Sequence, residues 1–300
     1  MTKGREWKGN TGGGFVGQHG LIILLKIFDI WVIYSIMALV VPFYMLLSRK
    51  NYRAIYGFFR RRLGYSQWKS FISTYKNHFV FGQVILDRFA VFAGQKDIFE
   101  VEITGNEHFQ RLASGSKGFI IAGSHVGNFE ISGYLLHSEG KTINALVYAG
   151  ETEVVRSNRA KILRRNNIHL TPVADDMSHL FAIHAALQKG DVASMPCDRS
   201  FGSSKSVECD FFNGKADFPV GAFALAAHLD VETLAVFVVK ESGKKYRVYV
   251  KPVQVDAAPG VELAKREKTE LYVRSFAKEL EEIVRQYPTQ WFNYYEFWKK

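Results

Sequence analysis

Acidic residues are absent from one stretch of this 300-residue chain, and charge of either sign is absent from the stretch before it. Nothing charged occurs in IWVIYSIMALVVPFYMLL, Ile30 to Leu47, and nothing acidic in SRKNYRAIYGFFRRRLGY, Ser48 to Tyr65. Cysteine is scarce. The 2 present, Cys197 and Cys209, make neither a disulfide framework nor a metal site, so a reducing cytosol is the expected compartment. Internal repeats and low-complexity tracts are lacking, which excludes a repeat architecture. A Gly-x-Ser-x-Gly elbow is lacking too, which argues against a serine esterase.

What is present has a globular composition, 47% hydrophobic and 23% charged, with 14% aromatics. The length suffices for one large α/β domain or two small ones. A formal charge of +10 implies an acidic partner: nucleic acid, anionic lipid or an acidic carrier protein.

The uncharged run of 18 residues is near the lower limit for crossing a hydrocarbon core of about 30 Å. A buried core helix is the competing reading. A secretory signal fits poorly, because no small-residue cleavage site closes the run. Pro42 kinks such a helix without excluding it from a membrane. The following segment favours the membrane. Arg49, Lys50, Arg53, Arg60, Arg61 and Arg62 mark a cytoplasmic flank that attracts anionic headgroups. The interleaved Tyr52, Ile55, Tyr56, Phe58 and Phe59 suit a basic helix lying in the interface, and nucleic acid is the lesser alternative. The expected division is an N-terminal segment and anchor over 1–50, then a catalytic domain over 51–300 that includes the interfacial helices. Trp68, Phe71, Ile72, Tyr75 and Phe79 repeat at helical spacing and need no more than core packing.

Beyond Gly94, short apolar runs alternate with helical stretches. Strands are expected at FEVEITG, GFIIAG, INALVY, IHLTPV, DVASMP, TLAVFVVK and YRVYVKPV. Helices are expected between most of them, including one over NFEISGYLLHS, and a long charged one over roughly 262–286. Such alternation predicts an α/β fold, a mostly parallel central sheet with helices on both faces. Ligands in open sheets of this kind bind beyond the carboxyl ends of the strands. GFIIAG ends at Ser124-His125 and DVASMP at Cys197-Asp198-Arg199, so the two polar clusters are expected on one edge.

The segment IAGSHVGNFE carries the chemistry. With 9 histidines and 29 acids in 300 residues, about one His-x4-acid match arises by chance. Only His125, with Glu130, has that spacing, and its position after a strand gives it weight. Asn128 is read as a helix N-cap that puts Glu130 in the first turn. From there the carboxylate can fix one nitrogen of His125 and leave the other to act as a base. Gly127 allows a substrate close to the backbone, and the helix N-terminus offers N–H donors. The bland alternative is a loop histidine bonded to a capping acid. Asp198 and Arg199 either bind a phosphate or carboxylate of a substrate or form an ion pair closing the sheet edge. Arg156 and Arg159 line the site or a solvated helix face. Phe211 and Phe212 border an acyl chain or fill the core, and Cys197 is a buried structural thiol.

These blocks together resemble the lipid A lauroyl/myristoyl acyltransferase family, within the lysophospholipid acyltransferase superfamily. GSHVGNFE is similar to its small-or-amide, His, four residues, Glu motif, with Ser124 where the wider superfamily often has Asn. KGDVASMPCDR looks like its strand ending in an Asp block. VECDFFNGKADFPVGAFALAAHLDV and YPTQWFNYYEFW resemble its later segments, and the likeness covers most of residues 20–298. EWKGNTGGGFVGQHG looks more like acyltransferases of pigment or glycolipid pathways, which bears on the acceptor. The resemblance implies direct transfer from an acyl carrier protein or coenzyme A thioester to a hydroxyl or amine of a lipid or glycolipid, at the cytoplasmic face of the cell inner membrane. It implies His125 as base, Glu130 as its orienting acid, and neither metal nor cofactor. Ser124, Gly127, Asn128, Arg156, Arg159, Asp198 and Arg199 are the substrate-binding candidates. The rival readings are a membrane-bound binding protein without catalysis and a hydrolase using the same histidine. The C-terminal aromatics read equally as an interface belt and as core closure.

Overall fold

The computed structural model describes residues 20–299, except 21–22, 26, 93, 133–135, 137–139, 148–162, 165–166, 174–177, 200–204 and 256–262; at Phe92, Lys96 and Glu130 it describes the backbone alone. Seven strands form the main sheet: β1 (Glu100–Thr104), β2 (Phe119–Gly123), β3 (Ile143–Val147), β4 (Ile168–Pro172), β5 (Val192–Pro196), β8 (Thr233–Lys240) and β9 (Lys245–Pro252). Their order is β1-β9-β8-β2-β5-β3-β4, and every pairing is parallel except β8 with β9. β6 (Ser206–Asp210) and β7 (Lys215–Pro219) form a separate antiparallel hairpin within the stretch that reads as irregular from sequence.

Strand β8 is buried at all eight positions, and its side chains divide by parity. Ala235, Phe237 and Val239 enter one core, Leu234, Val236 and Val238 the other, as the two-residue repeat of a strand covered on both faces requires. The first core is capped by α5 (Ser178–Gln188), α6 (Gly221–Leu229) and α7 (Lys265–Gln286); α4 (Asn106–Ser114) covers the second through Phe109 and Ala113. α7 has the required stripe. Tyr272, Val273, Phe276, Leu280, Ile283 and Val284 are buried, while Arg266–Glu270 and Glu281–Arg285 pair at i,i+4 on its outer side.

The uncharged run is α1 (Ile30–Leu47), and Asp29 caps it by accepting from the Trp31 amide at 2.9 Å. Ile30, Ile33, Tyr34, Val41 and Met45 pack inward, toward α3 (Gln67–Phe92), and the remaining surface is exposed and apolar, as at Ile36, Leu39, Val40, Phe43, Leu46 and Leu47. A buried core helix does not leave such a face. The helix is long and apolar enough to cross a membrane. Tyr34 also reaches a buried polar cluster. Its hydroxyl donates to Asp87 of α3, which accepts in addition from Tyr246 of β9 and pairs with Lys240 of β8 at 2.5 Å.

The basic segment departs from expectation. It forms α2 (Arg49–Gly57) and a π-turn, Phe58–Arg62, but its apolar side chains do not face outward. Ile55, Phe58 and Phe59 are fully buried in the main core, with Phe58 against Phe212, Trp291 and Trp298. Amphipathic spacing is the same for a helix seated on a protein core and for one seated on lipid, and here the core takes it. The C-terminal aromatics also close the core, with Trp291, Phe292 and Phe297 buried.

Candidate active site

Strands β2 and β5 are neighbours with Gly123 opposite Pro196, so the chain leaves both on the same edge. The pairing runs one step further, Cys197 N–H donating to the Gly123 carbonyl at 2.8 Å. Just beyond that bond, His125 and Asp198 meet. The His125 amide donates to Asp198 Oδ2 at 2.9 Å, and ring Nδ1 lies 2.8 Å from Oδ1. Both carboxylate oxygens hold the same residue, one by its backbone and one by its ring.

Asp198 is 1% exposed. Burial raises its pKa, but the adjoining His125, through its charge and both hydrogen bonds, and the charge of Arg199 outweigh it and hold the carboxyl at about 2. Asp198 is therefore an anion at neutral pH and an acceptor only. Nδ1 must carry the proton, and Nε2 becomes the basic nitrogen of the neutral ring. The ring also meets Phe129 edge-on, with centroids 5.1 Å apart.

The backbone that carries His125 is clamped from two sides. Its carbonyl accepts from the Phe292 amide at 2.9 Å, and the Gly127 amide donates to the Gln290 carbonyl at 2.8 Å. Gln290 is fixed in turn by two side-chain bonds to the backbone of Lys240, at 2.8 and 2.7 Å. On the other side, the Asn128 amide donates to the Val238 carbonyl at 2.7 Å. Gly127 has φ +58°, and a Cβ there would come within 1.9 Å of that same carbonyl. The close approach that glycine permits is thus made by the protein's own β8 backbone.

Asn128 does not cap a helix. A 3₁₀ turn, Phe129–Ile131, leads into the helical Ser132 without a side-chain cap bond, and the Asn128 amide group donates at 3.3 Å to Val84 O and to the Tyr246 hydroxyl. Burial and strand β9 claim the side chain that the sequence pattern assigns to a cap. Ser124 is buried, and its hydroxyl has no hydrogen-bond partner among the described residues. Asp198 lies behind His125, and Arg199 donates to the Phe292 carbonyl and stacks over Tyr295, 5.4 Å from the ring centroid. Arg199 therefore ties the C-terminal segment to the site edge. Arg156, Arg159 and the Glu130 side chain lie outside the described residues.

Cys197 is buried, and burial pushes its thiol well above the usual range, which fits an inert thiol rather than a nucleophile. Phe211 and Phe212 are fully buried and belong to the core. Sequence reasoning missed the direct bond from Asp198 to His125 and the clamp by Gln290 and Phe292. The strand-end rule brings Asp198 to the right edge. No local signal marks residues 290–292, which arrive from the far end of the chain.

A search of curated proteins finds no match to the chain. Residues 75–300, well over half of it, match the family described as bacterial lipid A biosynthesis acyltransferase, and the matched region contains His125, Glu130 and Asp198. A strand-end histidine held by a buried anion suits the transfer chemistry that this family performs, and with a match of that extent the chain belongs to the bacterial lipid A biosynthesis acyltransferases, enzymes that work between an acyl donor and a lipid acceptor.

Proposed function

We propose that the enzyme moves a fatty acyl chain from an acyl thioester to a hydroxyl or amine of a lipid or glycolipid, with His125 as general base. The observation that supports this reading is the ionised Asp198 at 2.8 Å from His125 Nδ1, which leaves Nε2 as the proton acceptor. The acceptor hydroxyl gives its proton to Nε2 as its oxygen attacks the thioester carbonyl carbon. The tetrahedral intermediate then collapses, the carbon–sulfur bond breaks, and the leaving thiolate takes the proton back from the imidazolium. An ester and a free thiol result, and no acyl-enzyme forms.

Asp198 takes the orienting place at Nδ1, and Glu130, in the turn that follows His125, stabilises the positive charge of the ring during transfer. Acyl carrier protein is the preferred donor over coenzyme A. The exposed face of α1 inserts into the cell inner membrane from its cytoplasmic side, and the division into an anchor over 1–50 and a catalytic body over 51–300 follows from that insertion. The test is His125→Ala. Acyl transfer to lipid should fall by about 10²–10⁴-fold or more with the fold retained, and His125→Ala/Glu130→Ala should fall far short of the product of the two single losses. Normal turnover by His125→Ala would end the mechanism, and free fatty acid as the main product would replace transfer with hydrolysis.

A further inference from the structure

Between Asp29 and Asp87 the chain has no acidic residue. The cations of that stretch find few carboxylates elsewhere. Arg61 meets Glu296 at 3.5 Å, whereas Arg49, Lys50 and Arg53 have no carboxylate partner among the described residues. Several exposed or half-exposed cations elsewhere are paired, as Lys215 with Asp210, Arg247 with Glu241, Lys251 with Glu279 and Lys268 with Asp230. The stretch from Arg49 to Arg62 thus concentrates positive charge.

It also has a shape. Arg49, Lys50 and Arg53 line a cavity of about 360 Å³ between α2 and the C-terminal segment, closed by Ala54, Tyr295 and Glu296. Across Glu296, a second cavity of about 210 Å³ is lined by Arg61, Arg62 and Lys299, with Gly57 and Trp298. Glu296 is the one carboxylate lining either cavity, and Arg61 already pairs with it.

The position of this cleft narrows what it holds. Arg49 comes two residues after Leu47, which ends the apolar face of α1 and is 85% exposed. With α1 in hydrocarbon, these cations lie at headgroup depth. The opposite wall is Tyr295, whose ring carries the Arg199 guanidinium, and Arg199 follows the aspartate that holds His125. A contact path thus runs from the membrane surface to the proposed base.

We propose that this cleft binds the phosphate of a membrane lipid, the phosphorylated head group of the acceptor, so that its acyl-accepting group is presented to His125. The proposal rests on the function proposed above and adds the recognition element. Two arginine forks and a lysine suit the oxygens of a phosphate monoester, and a carboxylate or zwitterion would leave part of that charge unmatched. Coenzyme A and carrier-bound phosphopantetheine also carry phosphate, but neither enters from the bilayer.

The experiment is a thermal shift on the full-length protein in neutral detergent micelles. The probes are phosphatidic acid, oleate at matched surface charge, and coenzyme A. Phosphatidic acid near saturation should raise the melting temperature by about 5 °C, with no comparable rise from the other two. R49Q/K50Q/R53Q should lose the rise and keep the lipid-free melting temperature; if that temperature drops, R53Q alone serves for the comparison. An equal rise with oleate, or a rise that survives the substitutions, overturns the phosphate site. A rise with coenzyme A that competes with phosphatidic acid assigns the cleft to the donor and overturns the lipid assignment. His125→Ala should retain the shift, so this result and that of the transfer assay are independent.

Discussion

At the scale of single residues, the tautomer of His125 is the quantity that matters, and Asp198 sets it. An asparagine in its place can present an N–H to Nδ1 and so stabilise the wrong tautomer. Asp198→Asn should lower kcat by roughly 10²–10⁴-fold with a far smaller change in KM, measured by acyl transfer at fixed pH. The same substitution has a signature in stability. The folded-state pKa of Asp198 lies at about 2, below its ordinary 3.8. Its contribution to stability is fully present above the ordinary value and is lost as pH falls through about 2. The stability difference between wild type and Asp198→Asn should therefore shrink as pH falls from about 4 through about 2. A difference that does not change across that window would mean that the carboxylate is not ionised behind the ring.

The residue scale also shows how far the sequence carried. His125 was legible because a histidine two residues beyond a buried strand has a place that chance spacing does not explain. The end of its own strand places Asp198 on the right edge, yet from sequence a substrate contact and an edge ion pair suit it equally. The distinction depends on a 2.8 Å bond across 73 positions of sequence, and strand order decides that β2 and β5 are neighbours. Asn128 misled for a physical reason. The same side chain caps a helix or satisfies a buried amide and phenol, and only the packed structure says which.

Among elements, the strands of the main sheet were legible because buried parallel strands are short, continuous apolar runs. The β6–β7 hairpin was not. SVECD and KADFP bury only part of their length and carry charge on the exposed positions, and the turn between them puts Phe212 and Asn213 at φ 47° and 56°. Tertiary bonds hold that turn, the Phe212 amide to Glu281 at 3.0 Å and Trp298 Nε1 to the Phe211 carbonyl at 2.8 Å. The junction of α1, α3, β8 and β9 was equally hidden. Burial pushes the Asp87 carboxyl up and the Lys240 amine down, and their contact offsets part of both shifts. Asp87→Leu strands Lys240 in that interior and should cost about 3–5 kcal/mol, whereas Asp87→Leu/Lys240→Met should recover much of the loss. Denaturant unfolding in neutral detergent measures both. A double variant no more stable than the single one would show that shape, not charge pairing, holds the junction.

For the whole molecule, a charge of +10 acts at a distance that no single contact covers. The cations of α2 and the turn after it are exposed at Arg49, Lys50, Arg53, Arg60 and Arg61, close to where the proposed membrane face meets the cytosol. An acidic carrier protein that brings its acyl chain there is steered by this field, so its association rate should fall steeply with ionic strength. Coenzyme A is anionic but small, samples the field at one place, and should respond less. At low salt, kcat/KM should therefore favour the carrier-protein thioester over the coenzyme A thioester of the same chain length. The ratio should narrow as salt rises to physiological strength, where the screening length is about 8 Å. Charge reversal far from the site, at Lys278→Glu on α7, should change neither value much. Equal kcat/KM on both donors at every salt concentration would remove the steering argument and, with it, the preference for the carrier protein.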